Sequence, residues 1–323
     1  MTNSCPWGVG AKTKTFIAFE STYGEKPSDA ATASVDVYFN TNGVAASQNT
    51  TSPSTIRGNR NPIEPIMGNI DVNGDIVVPV DYSAFGYWLK AMFGNPTTTS
   101  VNDKAGFYQH VFKVGDYQPS FTLEKAFPGI GQYLQYSGCK ASKLSISVGG
   151  DGELTATISV MGAKETVVSE TMATTPIVPD FQRAKNFQSS IKIGNEIEAK
   201  GTSFSMDIDA GLDGDSYCIG SNGYRTAVCE GILSCSGTLE AYFADAKYIS
   251  LADTNAETSA EVILAVGDYS LSVKFPEIKF ARTSPSIDGP TGIKQSLSYN
   301  AYYDNSAEES AVVVTLVNET ASY

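Results

Sequence analysis

The chain has 323 residues, enough for two ordinary domains or one large all-β domain, and 41% are apolar, which excludes wholesale disorder. Its net charge of −13 excludes a protein that grips nucleic acid through Lys and Arg on a contact face. It does not exclude one past which nucleic acid slides, because a like-charged wall prevents sticking.

Residues 1–20 carry no apolar core of a secretory signal, and no run approaches the roughly 18 apolar residues of a membrane helix. Cys5, Cys139, Cys218, Cys229 and Cys235 are odd in number and lack CxxC spacing, which favours reduced thiols over a zinc site. A disulfide between two of the last three stays open at this point.

From the N-terminus, residues 28–60 read as a long surface segment, because stretches such as Ser47-Gln48-Asn49-Thr50-Thr51-Ser52 are too polar for a core. Residues 74–80 read as a strand, and a helix follows. Asp81 can cap it, Phe85, Trp88, Leu89, Met92 and Phe93 share one face, and Gly94 ends it. Such a face must lie against a sheet. Further strands are expected at 121–126, 143–148 and 153–160, the last two alternating apolar and polar around a Gly149-Gly150-Asp151-Gly152 turn. The Thr- and Val-rich residues 166–179 mark a boundary between two halves, and strands resume at 203–208, 269–275, 296–302 and 311–317.

An internal repeat is readable at two levels. Val114-Gly115-Asp116-Tyr117 recurs as Val266-Gly267-Asp268-Tyr269, and the strand from Gly74 before the helix has a counterpart from Gly237, before a helix-compatible segment. Arg60 and Arg225 fall at similar places ahead of these strands.

Little points to catalysis. His110 is the one histidine, and it reads as a member of a strand face with Tyr108 and Phe112 rather than as a base beside a nucleophile. No GxSxG, HExxH or P-loop occurs, so no catalytic, cofactor or metal residues are assigned. Asp207, Asp209, Asp213 and Asp215 would fall on one side of an extended chain. They read as a solvated loop, as an acidic surface facing DNA or a neighbouring subunit, or as a metal site, although Cys218 stands where a calcium loop needs Glu. Asp71-Val72-Asn73-Gly74-Asp75 is a weaker echo, read as a turn.

Several segments in order resemble major tail tube proteins of long-tailed bacteriophages, in a larger variety of about this length. They are Phe19-Glu20-Ser21-Thr22-Tyr23-Gly24, Ile56-Arg57-Gly58-Asn59-Arg60 and Gly68-Asn69-Ile70-Asp71-Val72-Asn73-Gly74-Asp75-Ile76. Trp88-Leu89-Lys90-Ala91-Met92-Phe93-Gly94, Pro119-Ser120-Phe121-Thr122-Leu123-Glu124-Lys125 and Tyr136-Ser137-Gly138-Cys139-Lys140 continue the likeness.

The resemblance implies an all-β protein with one or two short helices, a tail-tube-type β-sandwich closing into a ring-forming β-barrel, and the internal repeat adds the expectation that this fold is duplicated in tandem. Residues 1–165 would be the first such domain, with an N-terminal arm and the polar loop 28–60. Residues 166–200 would be linker and crossover, and residues 201–323 the second domain. The implied function is a structural, non-enzymatic tail tube subunit whose stacked homo-oligomeric rings leave an acidic channel for DNA. A pseudo-sixfold trimer is favoured over a true hexamer. Implied partners are other copies of the chain, the tape measure, the tail terminator and the baseplate or tip, with DNA passing transiently and no membrane. The implied location is the virion tail, after assembly in the host cytoplasm. The competing reading is a secreted or surface β-sandwich adhesin that binds carbohydrate.

Overall fold

The computed structural model describes residues 6–194, 196–287 and 289–323. In chain order its first strands are β1 (Lys14–Phe19), β2 (Val35–Val37), β3 (Thr41–Asn42), β4 (Ala45–Thr51) and β5 (Ile66–Pro79), with the short helix α1 (Ala30–Ala33) before β2. After α2 (Phe85–Phe93) come β6 (Thr97–Ser100), β7 (Tyr108–Lys113), β8 (Phe121–Phe127), β9 (Gln132–Gly149), β10 (Thr155–Gly162) and β11 (Lys164–Val168). The second half holds β12 (Ser189–Ile193), β13 (Glu196–Ile197), β14 (Gly201–Asp209) and β15 (Ser234–Tyr242). Helix α3 (Lys247–Asp253), β16 (Thr258–Val266), β17 (Tyr269–Phe280), β18 (Lys294–Tyr302) and β19 (Val313–Asn318) complete it.

The protein is β-rich, as its alternating patterns require, with three short α-helices among the described residues rather than one or two. Residues 28–60 are not one polar loop: they hold α1 and β2 to β4, with Ala30, Val35, Val37 and Val44 buried. Residues 71–75 are not a turn but the middle of β5. The Gly149–Gly152 turn is where the sequence places it, with Gly149, Gly150 and Gly152 at positive φ.

All ladders between these strands are antiparallel and form three sheets. The first runs β2–β1–β8–β9–β11. The central one runs β4–β5–β10–β9–β14–β15–β18–β17, with β3 also on β5. The third runs β13–β12–β16–β17–β19–β7–β6. Long strands β9 and β17 each pass through two sheets, so the layers fold back into a sandwich over a main apolar core, with a small second cluster around Phe16 and Met172. The central sheet is open within one chain. Among the described residues β4 has a strand ladder on one side only, so the sheet does not close into a barrel there.

The pairing scheme of one half recurs in the other. The β1–β8–β9–β11 order matches β12–β16–β17–β19, and β4–β5–β10–β9 matches β14–β15–β18–β17. The irregularities match too. Pairing between β8 and β9 steps from Phe121↔Cys139 to Leu123↔Tyr136, and between β16 and β17 from Thr258↔Ile278 to Ala260↔Phe275. Gly74 pairs with Val160 as Gly237 pairs with Tyr299. A β-carbon at either glycine would run into the adjacent backbone, at Gly43 and at Ser205 respectively. The Val-Gly-Asp-Tyr match is a different matter: its first copy lies between β7 and β8, its second in the β16–β17 turn. These places are not equivalent, whereas Gly74 and Gly237 are.

Helix α2 is the anchor of the first half. Phe85, Trp88, Leu89, Met92 and Phe93 are all buried, but so are Gly86, Tyr87 and Ala91, leaving only Lys90 partly exposed. The helix is enclosed rather than laid on a sheet by one face. Trp88 meets Phe121 edge-on at 6.1 Å, Tyr323 covers Tyr87 at 4.8 Å, and Lys90 donates to the Tyr323 carbonyl at 3.0 Å. The Asp81 carboxylate accepts from Ser83 and Ala84 N–H at 2.7 and 2.6 Å, holding the chain that leads into the helix. His110 is buried in β7; its Nδ1 faces Thr98 Oγ1 at 2.8 Å and its Nε2 faces Asn318 Oδ1 at 3.2 Å and the Thr320 carbonyl at 2.9 Å. Two acceptors at Nε2 set the neutral Nε2–H form, and burial pushes the imidazole pKa down. The described cysteines, Cys139, Cys218, Cys229 and Cys235, are free, which closes the disulfide option; Cys5 lies outside the described residues.

Trp88→Ala is expected to destabilise the fold by about 3–5 kcal/mol, measured by denaturant melts. An unchanged midpoint would remove Trp88 from the anchor role. Burial raises the Asp81 carboxyl to about 6, against the opposing effect of its backbone hydrogen bonds. The folded state then holds that proton more tightly than the unfolded chain, so this group's contribution falls as pH rises from about 4 to 6. The melting temperature of Asp81→Asn relative to wild type should therefore rise across that window; a flat difference refutes it.

Candidate assembly surface

The central sheet has one apolar and one polar face because its strands alternate with period two. Along β14, Phe204, Met206 and Ile208 are buried while Ser203, Ser205, Asp207 and Asp209 point the other way. Cross-strand pairing aligns these polar positions in rows. One row runs Thr157, Ser145, Asp207, Ser236 and Asn300; another runs Ser147, Ser205, Thr238 and Ser298. The result is a face of small hydroxyl and amide groups with few charges.

The four aspartates divide. Asp207 and Asp209 share the polar face of β14, but the chain leaves the strand after Asp209, with Gly211 at φ 61°. Asp213 and Asp215 therefore do not continue the row. Asp209 accepts from Gly211 N–H at 2.8 Å and Asp213 from Asp215 N–H at 3.0 Å, both as turn braces. Burial alone would raise the Asp207 carboxyl. Hydrogen bonds from Ser145 (2.5 Å) and Lys143 (2.9 Å), with the Lys143 charge, hold it below the usual range. Among the described residues no group of three His, Cys, Asp or Glu is placed to hold a metal.

The sequence reading missed the junction between the halves. The β9–β14 ladder runs from Lys143↔Asp209 to Gly149↔Ser203. Beyond it, residues 210–233 leave the second half and lie across the first. Arg225, only 6% exposed, donates to the carbonyls of Gly214 (2.6 Å), Val72 (3.2 Å) and Gly162 (2.9 Å) and to Asp71 (2.5 Å). Tyr217 O–H donates to Asp71 at 2.7 Å, and Ile70 N–H to the Gly223 carbonyl at 2.8 Å. Lys140 reaches Glu230 at 2.6 Å and the Val228 carbonyl at 2.8 Å. The one signal in the sequence was the position of Arg225 ahead of β15. In the first half the corresponding excursion, residues 52–65 between β4 and β5, stands out from the molecule. Ile56 there is 95% exposed, and Ile66 and Met67 at its base are also exposed.

A β-rich scaffold with an open sheet, a hydroxyl face and one projecting arm fits a structural protein. The family model for the phage tail tube protein matches residues 10–301, and the chain belongs to that family. It is a virion structural protein of the phage tail, and its family carries a non-enzymatic role. No curated protein matches the chain.

Arg225→Ala takes a donor from three carbonyls and leaves the Asp71 carboxylate with the Tyr217 O–H but without its ion-pair partner. The expected cost is about 1–3 kcal/mol, with faster proteolysis inside residues 213–229; unchanged cleavage would show that Arg225 does not pin the excursion.

Proposed function

We propose that the chain self-assembles into stacked rings that form the tail tube, and that each half is one tube fold derived by tandem duplication. The observation that carries this is an open central sheet with two unlike ends, in a chain of the tail tube family. Residues 1–165 and 201–323 hold most of the two folds. The strands β12 and β13, inside residues 166–200, belong with the second, and β6–β7 of the first reach over to pair with β19.

In this reading three chains supply six folds and a pseudo-sixfold ring, and the lateral joining of central sheets closes the barrel. Its hydroxyl face lines the channel. Hydroxyls offer DNA no fixed cations, and Asp75, Asp209 and Glu240 add mild repulsion that outweighs Lys279, opposite Asn300 on the same face, so a polyanion slides without sticking. Lys143 largely offsets Asp207, so the channel is less acidic than the net charge implies. The exposed arms at residues 52–65 suit contact with a neighbouring ring. Copies at the tube ends meet the tape measure, terminator and baseplate or tip proteins, and assembly takes place in the host cytoplasm.

Negative-stain microscopy of concentrated protein should show stacked rings or tubes on the order of 10 nm across, and native mass spectrometry should give trimers. A stable monomer at high concentration overturns the reading, and hexamers overturn its symmetry. Glu240→Lys, at an exposed position of β15, should leave melting and ring formation intact but lower infectivity of otherwise complete particles. Unaltered infectivity would remove Glu240 from the channel wall.

A further inference from the structure

The junction inside the chain is a template for the junction between chains. At the inner junction, the end of β9 pairs with β14. By the matched ladders, β17 stands for β9 and β3–β4 stand for β14. Ala45 and Ala46 pair with Asn73 and Val72 next to Gly74, as Asp207 and Ile208 pair with Ser236 and Cys235 next to Gly237. Ala45, Ala46 and Ser47 therefore occupy the places of Asp207, Ile208 and Asp209. On the other strand, Lys140 and Ala141 pair with Met161 and Val160, as Lys279 and Phe280 pair with Asn300 and Tyr299. Counting forward, Arg282, Thr283 and Ser284 occupy the places of Lys143, Leu144 and Ser145.

Both members of the missing pair are open. Residues 281–285 continue from β17 outside any strand, held by Ala281 N–H on the Ser298 carbonyl, by Gln295 on the Thr283 carbonyl and by Arg282 on Asp253. The matching edge of β4 is exposed. Register follows from side-chain facing. Phe280 is buried, so strict alternation would drive the Arg282 guanidinium into the core; an extra residue, such as Ser142 supplies between Ala141 and Lys143 in β9, keeps it out.

Resting on the ring reading above, we propose that residues 281–285 of one copy pair antiparallel with β3–β4 of the next, with Arg282, Thr283 and Ser284 opposite Ser47, Ala46 and Ala45. The partner is a second copy of this chain, docked by strand addition. The inner junction carries the Lys143–Asp207 ion pair at 2.9 Å, whereas Ala45 in the equivalent place gives Arg282 no partner. The outer junction thus rests on backbone hydrogen bonds.

The test uses full-length chains in which Cys5, Cys218 and Cys229 are replaced by Ser. Chains with Ala46→Cys are mixed with chains carrying Thr283→Cys, assembled, and mildly oxidised. Covalent dimers are expected in the mixture and not in either variant alone, with weaker yield when Arg282→Cys or Ser284→Cys replaces Thr283→Cys. Dimers of Ala46→Cys alone would mean like edges meet, which overturns the proposal. Strongest yield at 282 or 284 overturns the register. Rings seen by microscopy without the 46–283 bond overturn this junction and leave the tube function standing; absence of rings in both the variants and the wild type overturns both.

Discussion

The ladder between β9 and β14 is the constraint on which the rest depends. It joins two halves edge to edge rather than face to face, so their inner strands become one sheet with one polar side. A face-to-face joint would have buried that side. Because backbone pairing is indifferent to side-chain identity but strict about facing, the joint aligns the polar residues of both halves in common rows. Arg225 and Lys140 then seal the joint by satisfying backbone carbonyls and Glu230 from one half to the other.

Bending of β9 and β17 is the second requirement. Each strand serves two sheets, and the matched slips at Leu123/Tyr136 and Ala260/Phe275 mark where it turns from one layer to the other. Bulges of this kind sharpen local twist and re-aim side chains. Here they let one strand supply core residues to both layers, which is how Cys139 and Leu144, five positions apart, come to lie in one apolar cluster. The helices close the open flank of each sandwich, α2 enclosed on nearly all sides and α3 burying Tyr248 against Phe280 at 5.3 Å.

Strand positions in the central sheet were legible because one face is buried and the other is not: Ser203 to Asp209 and Thr155 to Val160 alternate without interruption. The position of α2 was legible from its apolar spacing, but its full enclosure was not. Tyr323 arrives from the far end of the chain to cover Tyr87, and no local pattern announces that. Residues 28–60 misled because edge strands such as β4 face water on both sides and lose the apolar alternation. The aspartate row broke at Gly211 because a left-handed residue ends extended geometry, so equal spacing in sequence did not become equal spacing in space. The Val-Gly-Asp-Tyr match failed for a related reason: glycine-aspartate pairs suit many tight turns, whereas Gly74 and Gly237 are each demanded by a close backbone approach.

Tandem linkage changes the energetics of a ring. When two folds share a chain, the second finds the first at an effective concentration set by a short tether, and that junction forms with folding. In the proposed pseudo-sixfold ring, half of the six junctions would then be built before any chains meet. The ion pair and the buried Arg225 contacts sit at the inner junction, where permanence carries no penalty. The open edges lack them, and under the proposed pairing an edge held by backbone bonds alone would stay reversible until several close together. A chain that carried the strong junction outward instead would be prone to capture partners singly and out of order, the hazard that exposed strand edges present to any β protein.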